Sequence, residues 1–201
     1  ITRTQMIGSW AGAMGQTQFL PSSFLAYAVD ADGDGRRDIW GSMADVMAST
    51  ANFLARSGWQ ADQPWGVEVR LPPRFDVGRA DVAVRQASAL WAAEGVQTID
   101  GAPLPQFAEA TVLLPAGAGG PAFLVGPNFQ VILRYNNSTS YALAVGLLAQ
   151  RQAAHPGMAL DAGCLLLLAQ NQFFENLHVG RLFHANHEIH AFIGQLAQIV
   201  I

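Results

Sequence analysis

The chain has 201 residues, 51% of them hydrophobic and 13% charged, with a net charge of −4; this composition packs a real core in one good-sized domain or two small ones and excludes a disordered chain. All eleven basic residues are arginine. Without lysine, Schiff-base chemistry and a phosphate loop of the G-x-x-x-x-G-K-[ST] type are excluded, and an acidic chain with no dense basic patch argues against nucleic acid as a partner. The lone Cys164 can form no internal disulfide and is flanked by apolar residues, which favours a core position over a nucleophile. The run "CLLLLA" (164–169) falls far short of a membrane span, and no other run approaches one. The chain begins with Ile1, so a fragment is expected, with any targeting segment upstream.

In chain order, residues 1–59 are expected to be helical in pieces. Glycines and small residues come first, and Pro21 stands where a helix can start, with Ser22 and Ser23 as capping oxygens. In "SMADVMASTANFLARSGW" (42–59), Val46, Met47, Ala51, Phe53 and Leu54 fall on one helical face, and Gly58 suits the C-terminal stop. A short alternating strand follows in 65–78, halted by Pro72-Pro73. Residues 79–95 are expected to be a helix, and 109–126 two short strands around a Gly/Pro turn. Over 128–152 the pattern returns to helix in its second half, from Tyr141, while the first half is open between strand and helix. The break at His155-Pro156-Gly157 sets off a tail. The resulting division is a helical part (1–63), a small α+β insert (64–127), a helical return (128–152) and a tail (153–201).

Three stretches carry candidate chemistry. In "AVDADGDGRRDIWG" (28–41), Asp30, Asp32 and Asp34 take positions 1, 3 and 5 of a calcium loop, Gly35 takes the glycine position 6, and Arg36 at position 7 would offer its carbonyl. Position 12 is Gly41 where a bidentate Glu belongs, which leaves Asp38 and Asp45 as candidates to close the shell. A plain acidic turn is the alternative, since Asp-Gly pairs are common turn formers. His184, His187 and His190 lie three apart and could bind zinc, but no H-E-x-x-H is present and a histidine-bearing surface is the simpler account. The segments "SWAGAMGQTQFLPSS" (9–23) and "RYNNSTSY" (134–141) both mix aromatics with hydroxyl and amide groups, a composition that suits a sugar groove or a tightly packed helix pair.

Taken together, "SWAGAMGQTQFLPSSFLAYAVDADGDGRRDIW", "ASTANFLARSGW" and "NFQVILRYNNSTSYALAVGLL" resemble, in this order, the membrane-bound lytic murein transglycosylase B family from about residue 8 to 152. The resemblance implies an α+β, mainly α, lysozyme-like fold. It implies cleavage of the β-1,4 bond between N-acetylmuramic acid and N-acetylglucosamine in peptidoglycan, leaving a 1,6-anhydro end, with one Glu as general acid and then base in place of the usual carboxylate pair. Carried over residue by residue, Ser9, Gln18, Phe53, Tyr135, Asn136 and Tyr141 would line the glycan cleft, with Phe53 where the family often has Tyr. Asp30, Asp32, Asp34, the Arg36 carbonyl and Asp45 would hold a structural Ca2+, and no organic cofactor is implied. None of Glu68, Glu94, Glu109, Glu175 and Glu188 matches the catalytic position, which belongs upstream of Ser9. The expected partner is the peptidoglycan strand, and the expected place is the bacterial periplasm or cell envelope. A calcium-stabilised glycan-binding module without catalysis is the rival, and a calcium sensor a third reading.

Overall fold

The computed structural model describes residues 2, 4 and 6–154; Cys164, the three closely spaced histidines and the rest of the tail lie outside the described residues. The element order is α1 (Pro21–Tyr27), α2 (Met43–Arg56), β1 (Gly66–Arg70), a 3-10 turn (Val77–Arg79), α3 (Ser88–Ala93), β2 (Gln97–Thr98), β3 (Thr111–Leu113), β4 (Ala122–Val125), α4 (Pro127–Tyr135) and α5 (Thr139–Ala154). The chain is thus mixed α+β, with helices at both ends of the described part and an antiparallel sheet of order β2-β1-β4-β3 between them.

Residues 6–20 form no helix. Gly12 and Gly15 have positive φ, as does Gln18, and the segment folds back through isolated bridges from Gly8 to Met14 and from Met14 to Phe19. Glycine favours such left-handed steps over a continuous helix. α1 does start at Pro21, but Leu20 is its cap residue and supplies no side-chain bond, so Ser22 and Ser23 lie inside the helix instead of capping it. α2 is capped by Ser42, whose Oγ accepts from the Asp45 amide. It ends where Gly58 turns left-handed (φ 95°) and the Trp59 amide reaches the Leu54 carbonyl.

Across the middle, β1 stops before Pro72, and β3 and β4 pair around the Gly/Pro turn. The helix expected over 79–95 is reduced to Ser88–Ala93. One local and one long-range interaction displace its first half: the Asp81 carboxylate accepts from the Ala83 amide, and Gln86 pairs with the distant Ala110 as in a strand. The first half of 128–152 is helix, α4; Asn136 is extended and ends it, and the chain restarts into α5 at Thr139.

Three buried clusters organise these elements. Trp65, Phe123, Phe129, Ile132 and Tyr141 join the sheet to α4 and α5; Trp91, Val96, Phe107 and Leu124 fill the space between the sheet and α3; Phe19, Ile39 and Val46 lie under the helical end. Fully buried Asn128 on α4 fastens the α2–β1 connector, accepting from the Gln60 amide at 2.8 Å and donating to the Gln60 and Gln63 carbonyls at 2.8 and 2.6 Å. That clamp sets the position of α4, and with it the C-terminal residues Tyr135 and Asn136.

Candidate functional site

The acidic loop is built around a carboxylate that is not in it. Asp45, in the first turn of α2, is fully buried and accepts from the Ala31 amide through Oδ1 and the Asp38 amide through Oδ2, each at 2.7 Å. One side chain therefore closes both ends of the loop. Ser42 donates its hydroxyl to Asp32 Oδ2 at 2.6 Å, and this bond, with the Asp34 amide behind it, lowers the Asp32 pKa below the usual carboxylate value. Oxygens of Asp30, Asp32 and Asp45 all lie within 4.8 Å of one another. Asp34 is outside that trio and accepts from the Arg36 amide; Asp38 accepts from the Trp40 and Gly41 amides.

The trio fits a hard divalent cation on chemical grounds. Its donors are carboxylate oxygens converging from two alternate loop residues and from the first turn of α2. Burial of Asp45 adds a reason, because among the described residues no basic side chain forms an ion pair with it, and a buried charge without a counter-charge is costly. The residues that would hold the ion here are Asp30, Asp32 and Asp45.

The loop is stitched to the next segment. Gln16 donates its amide to the Ile39 carbonyl and its Nε2 to the Trp40 carbonyl, both at 2.8 Å. A Cβ on Gly15 would stand 2.5 Å from the Ile39 carbonyl oxygen, so only glycine permits this approach. Gly15 thereby leads into Gln18, which holds a left-handed φ of 51° and returns its Nε2 to the Gly15 carbonyl at 2.8 Å. Left-handed backbone at a residue other than glycine is kept only where the surroundings hold it, and such residues concentrate at functional sites.

Across from this turn, Tyr135 at the end of α4 donates its hydroxyl to the Thr17 carbonyl at 2.6 Å, over a sequence separation of 118. Phe53 packs edge-on against Tyr27 and Tyr135 with centroids 4.7 and 5.0 Å away, and Phe19 completes the group. Burial pushes the Tyr135 pKa up to about 12 and raises that of Tyr141 further, the latter with a contribution from Tyr135. Both phenols are therefore neutral hydrogen-bonding groups at physiological pH.

Of the residues singled out by sequence, the structure brings together Gln18, Phe53 and Tyr135. Tyr141 lies beside them on α5, a core residue that also lines an apolar pocket shared with Tyr135 and Met47. Asn136 is the extended residue that ends α4. Ser9 stands apart in an exposed hairpin, where its Oγ accepts from the Ala13 amide. Sequence reasoning missed Thr17 and Tyr27, whose roles arise from pairings distant in the chain, and it read Gln16 only as a polar group of the 9–23 segment. Ser42 had a visible signal, the S-x-x-D spacing of "SMAD". The three described glutamates lie in the sheet region: Glu94 is held by Arg79 at 2.6 Å with its pKa lowered by that bond, Glu109 is exposed, and Glu68 is on β1.

Comparisons with known proteins converge. Residues 1–150 match the family model described as the Transglycosylase SLT domain. The chain is 38% identical over 148 residues to the membrane-bound lytic murein transglycosylase B of Escherichia coli (strain K12), covering 73% of this chain and 39% of that protein. The crystal structure of SltB3 from Pseudomonas aeruginosa in complex with NAG-NAM-pentapeptide is 59% identical with a TM-score of 0.71, over 74% of this chain and 41% of that one. The structure of Slt35 from Escherichia coli in complex with calcium is 37% identical with a TM-score of 0.60, over 73% of this chain and 46% of that one. This chain thus spans about two fifths of the length of the curated relative it matches.

Proposed function

Because the chain belongs to the Transglycosylase SLT domain family and has the lysozyme-like fold of its lytic transglycosylase relatives, we propose that it forms the glycan-gripping part of a peptidoglycan lytic transglycosylase. The reaction is cleavage of the bond between N-acetylmuramic acid and N-acetylglucosamine, with closure of the muramoyl 6-hydroxyl onto C1 and a 1,6-anhydro product. The observation that carries this reading is the Tyr135–Thr17 bond, which joins the two stretches of strongest family likeness around one aromatic group.

Ser9, Gln18, Phe53, Tyr135, Asn136 and Tyr141 are the proposed glycan-side residues. Tyr135 contributes its ring to the wall and spends its hydroxyl on Thr17, so its proposed part is to hold the Gln18 turn as much as to touch sugar. No described glutamate is placed for proton transfer to a glycosidic oxygen at this wall, since all three sit in the sheet region and Glu94 is committed to Arg79. The general acid is proposed to come from sequence outside this chain, in accord with a curated relative of which this chain matches only 39%. Calcium is the proposed occupant of the Asp30, Asp32 and Asp45 trio, with the Arg36 carbonyl and Asp34 drawn in when it binds. The site of action would be the bacterial cell envelope. Among the described residues no helix is long and apolar enough to cross a membrane.

The position of the glutamates also favours a second reading, a calcium-braced module that binds glycan without cleaving it. Purified murein sacculi separate the two. Protein of the relatives' full length should release anhydro-muropeptides, detected by mass spectrometry, and this chain alone should bind sacculi without releasing them. Binding with no release by the longer protein would leave the binding module, and failure of this chain to bind would overturn both.

A further inference from the structure

A second recess, of about 220 Å³, opens beside α4 on the side of the sheet and is lined by Arg85, Arg134, Gln60, Gln130, Glu109 and Thr111, among others. It gathers two of the eleven arginines of an otherwise acidic chain. Arg134 donates to the Ser57 carbonyl at the end of α2, and among the described residues no carboxylate forms an ion pair with it. Arg85 donates to Gln130 Oε1 at 3.3 Å and faces Glu109 at a loose 3.7 Å, with both side chains well exposed. An ion pair so long and so wet contributes little. The recess therefore presents two guanidinium groups that are weakly compensated, and a guanidinium fork matches a carboxylate through two parallel hydrogen bonds.

Its location gives the carboxylate a source. Arg134 directly precedes Tyr135 on α4, and consecutive Cα atoms are about 3.8 Å apart. A sugar held at the Tyr135 wall would project its substituents within a few residues' reach of the recess, since an extended peptide advances about 3.3 Å per residue. We infer that the Arg85–Arg134 recess binds a carboxylate of the peptide stem carried by the glycan, so that the strand is gripped by sugar on one side of α4 and by peptide on the other. This rests on the proposed peptidoglycan reading and adds to it a preference for strands that still bear acidic stems. Glu109, among the described residues the one acidic group lining the recess, competes with the ligand for Arg85.

Calorimetric titration of the full 201-residue chain with disaccharide-pentapeptide, and with the same muropeptide after amidation of its carboxylates, tests the inference. The free-acid form should bind about tenfold more tightly, the scale of one charge-assisted hydrogen-bonded contact. Arg85→Gln should reduce that ratio several-fold. Glu109→Gln should increase it, and damage to the fold cannot imitate a gain. Equal affinity for the two forms, or a ratio that neither variant moves, would overturn the inference and leave the glycan reading intact. If neither form binds, both fall.

Discussion

At the scale of single residues, the most informative group is the Tyr135 hydroxyl. Family likeness in "RYNNSTSY" marked it as a candidate glycan-side residue, but its partner, the Thr17 carbonyl, was not legible, because nothing in a sequence announces a bond across 118 positions. Thr17 is fully buried, so Tyr135→Phe strands a carbonyl with no access to water. Such a loss costs about 1–3 kcal/mol, or a fall in Tm of about 2–12 °C for a chain of this size, and thermal denaturation at neutral pH measures it. The same hydroxyl gives a pH signature. Its folded pKa is raised by burial from 10.0 to about 12, so the folded state keeps the proton after the unfolded state has lost it. The contribution is complete below pH 10 and disappears as the pH rises towards 12. Denaturant titrations should show the stability advantage of wild type over Tyr135→Phe shrinking across that window; a constant difference would contradict the assignment.

Among the elements, the patterns that survived are those written in one stretch of chain. α2 follows from a stripe of Val46, Met47, Phe53 and Leu54 with Gly58 at its end, and β1 and the β3–β4 pair follow from apolar runs bounded by proline and glycine. Residues 79–87 looked helical by composition yet were claimed by the Asp81 turn and the Gln86–Ala110 bridge, both of which depend on a neighbour or a distant partner. α5 shows the same limit from the other side. Gly146 looks like a flaw in a helix, yet a Cβ there would stand 2.5 to 2.9 Å from the Trp65 ring carbons, and Trp65 belongs to the cluster that ties the sheet to the helices. Glycine to alanine in a helix interior gains about 1 kcal/mol in propensity, whereas forcing an extra carbon into a filled core costs about 1–3 kcal/mol. Trp65 is only 6% exposed and also packs on Phe123 and Phe129, so the ring has little room to retreat and the packing cost prevails. Gly146→Ala should lower the unfolding free energy by about 1 kcal/mol in chemical denaturation; a gain in stability would mean that the ring gives way.

For the whole molecule, the question is how the acidic loop bears on the proposed glycan wall, which it does not line. The loop pattern marked a candidate cation site with Asp38 or Asp45 to close it, and family likeness pointed to Asp45. What the sequence could not show is that Asp45 is fully buried and draws the Ala31 and Asp38 amides together, or that the loop's far end carries Gln16 on the Ile39 and Trp40 carbonyls. The links then run from loop to Gln16, through Gly15 to Gln18, and from Thr17 to Tyr135, each a hydrogen bond or a covalent neighbour. A cation at Asp30, Asp32 and Asp45 would fix one end of that series without any hinge to drive, which is the behaviour of a brace and not of a sensor. Calcium at a hundredfold excess over its Kd should add about 2.7 kcal/mol to the folded state, raising Tm by about 5–11 °C over chelator. An apolar surface dye should report no opening. In Asp45→Asn the amide can accept through only one of its two atoms, so one buried amide bond is lost together with a ligand charge. The variant should melt lower by the cost of an unmet buried donor, about 1–3 kcal/mol, and should lose most of the calcium-dependent rise. A calcium effect that persists in Asp45→Asn would place the ion elsewhere, and dye binding that grows with calcium would make the loop a switch.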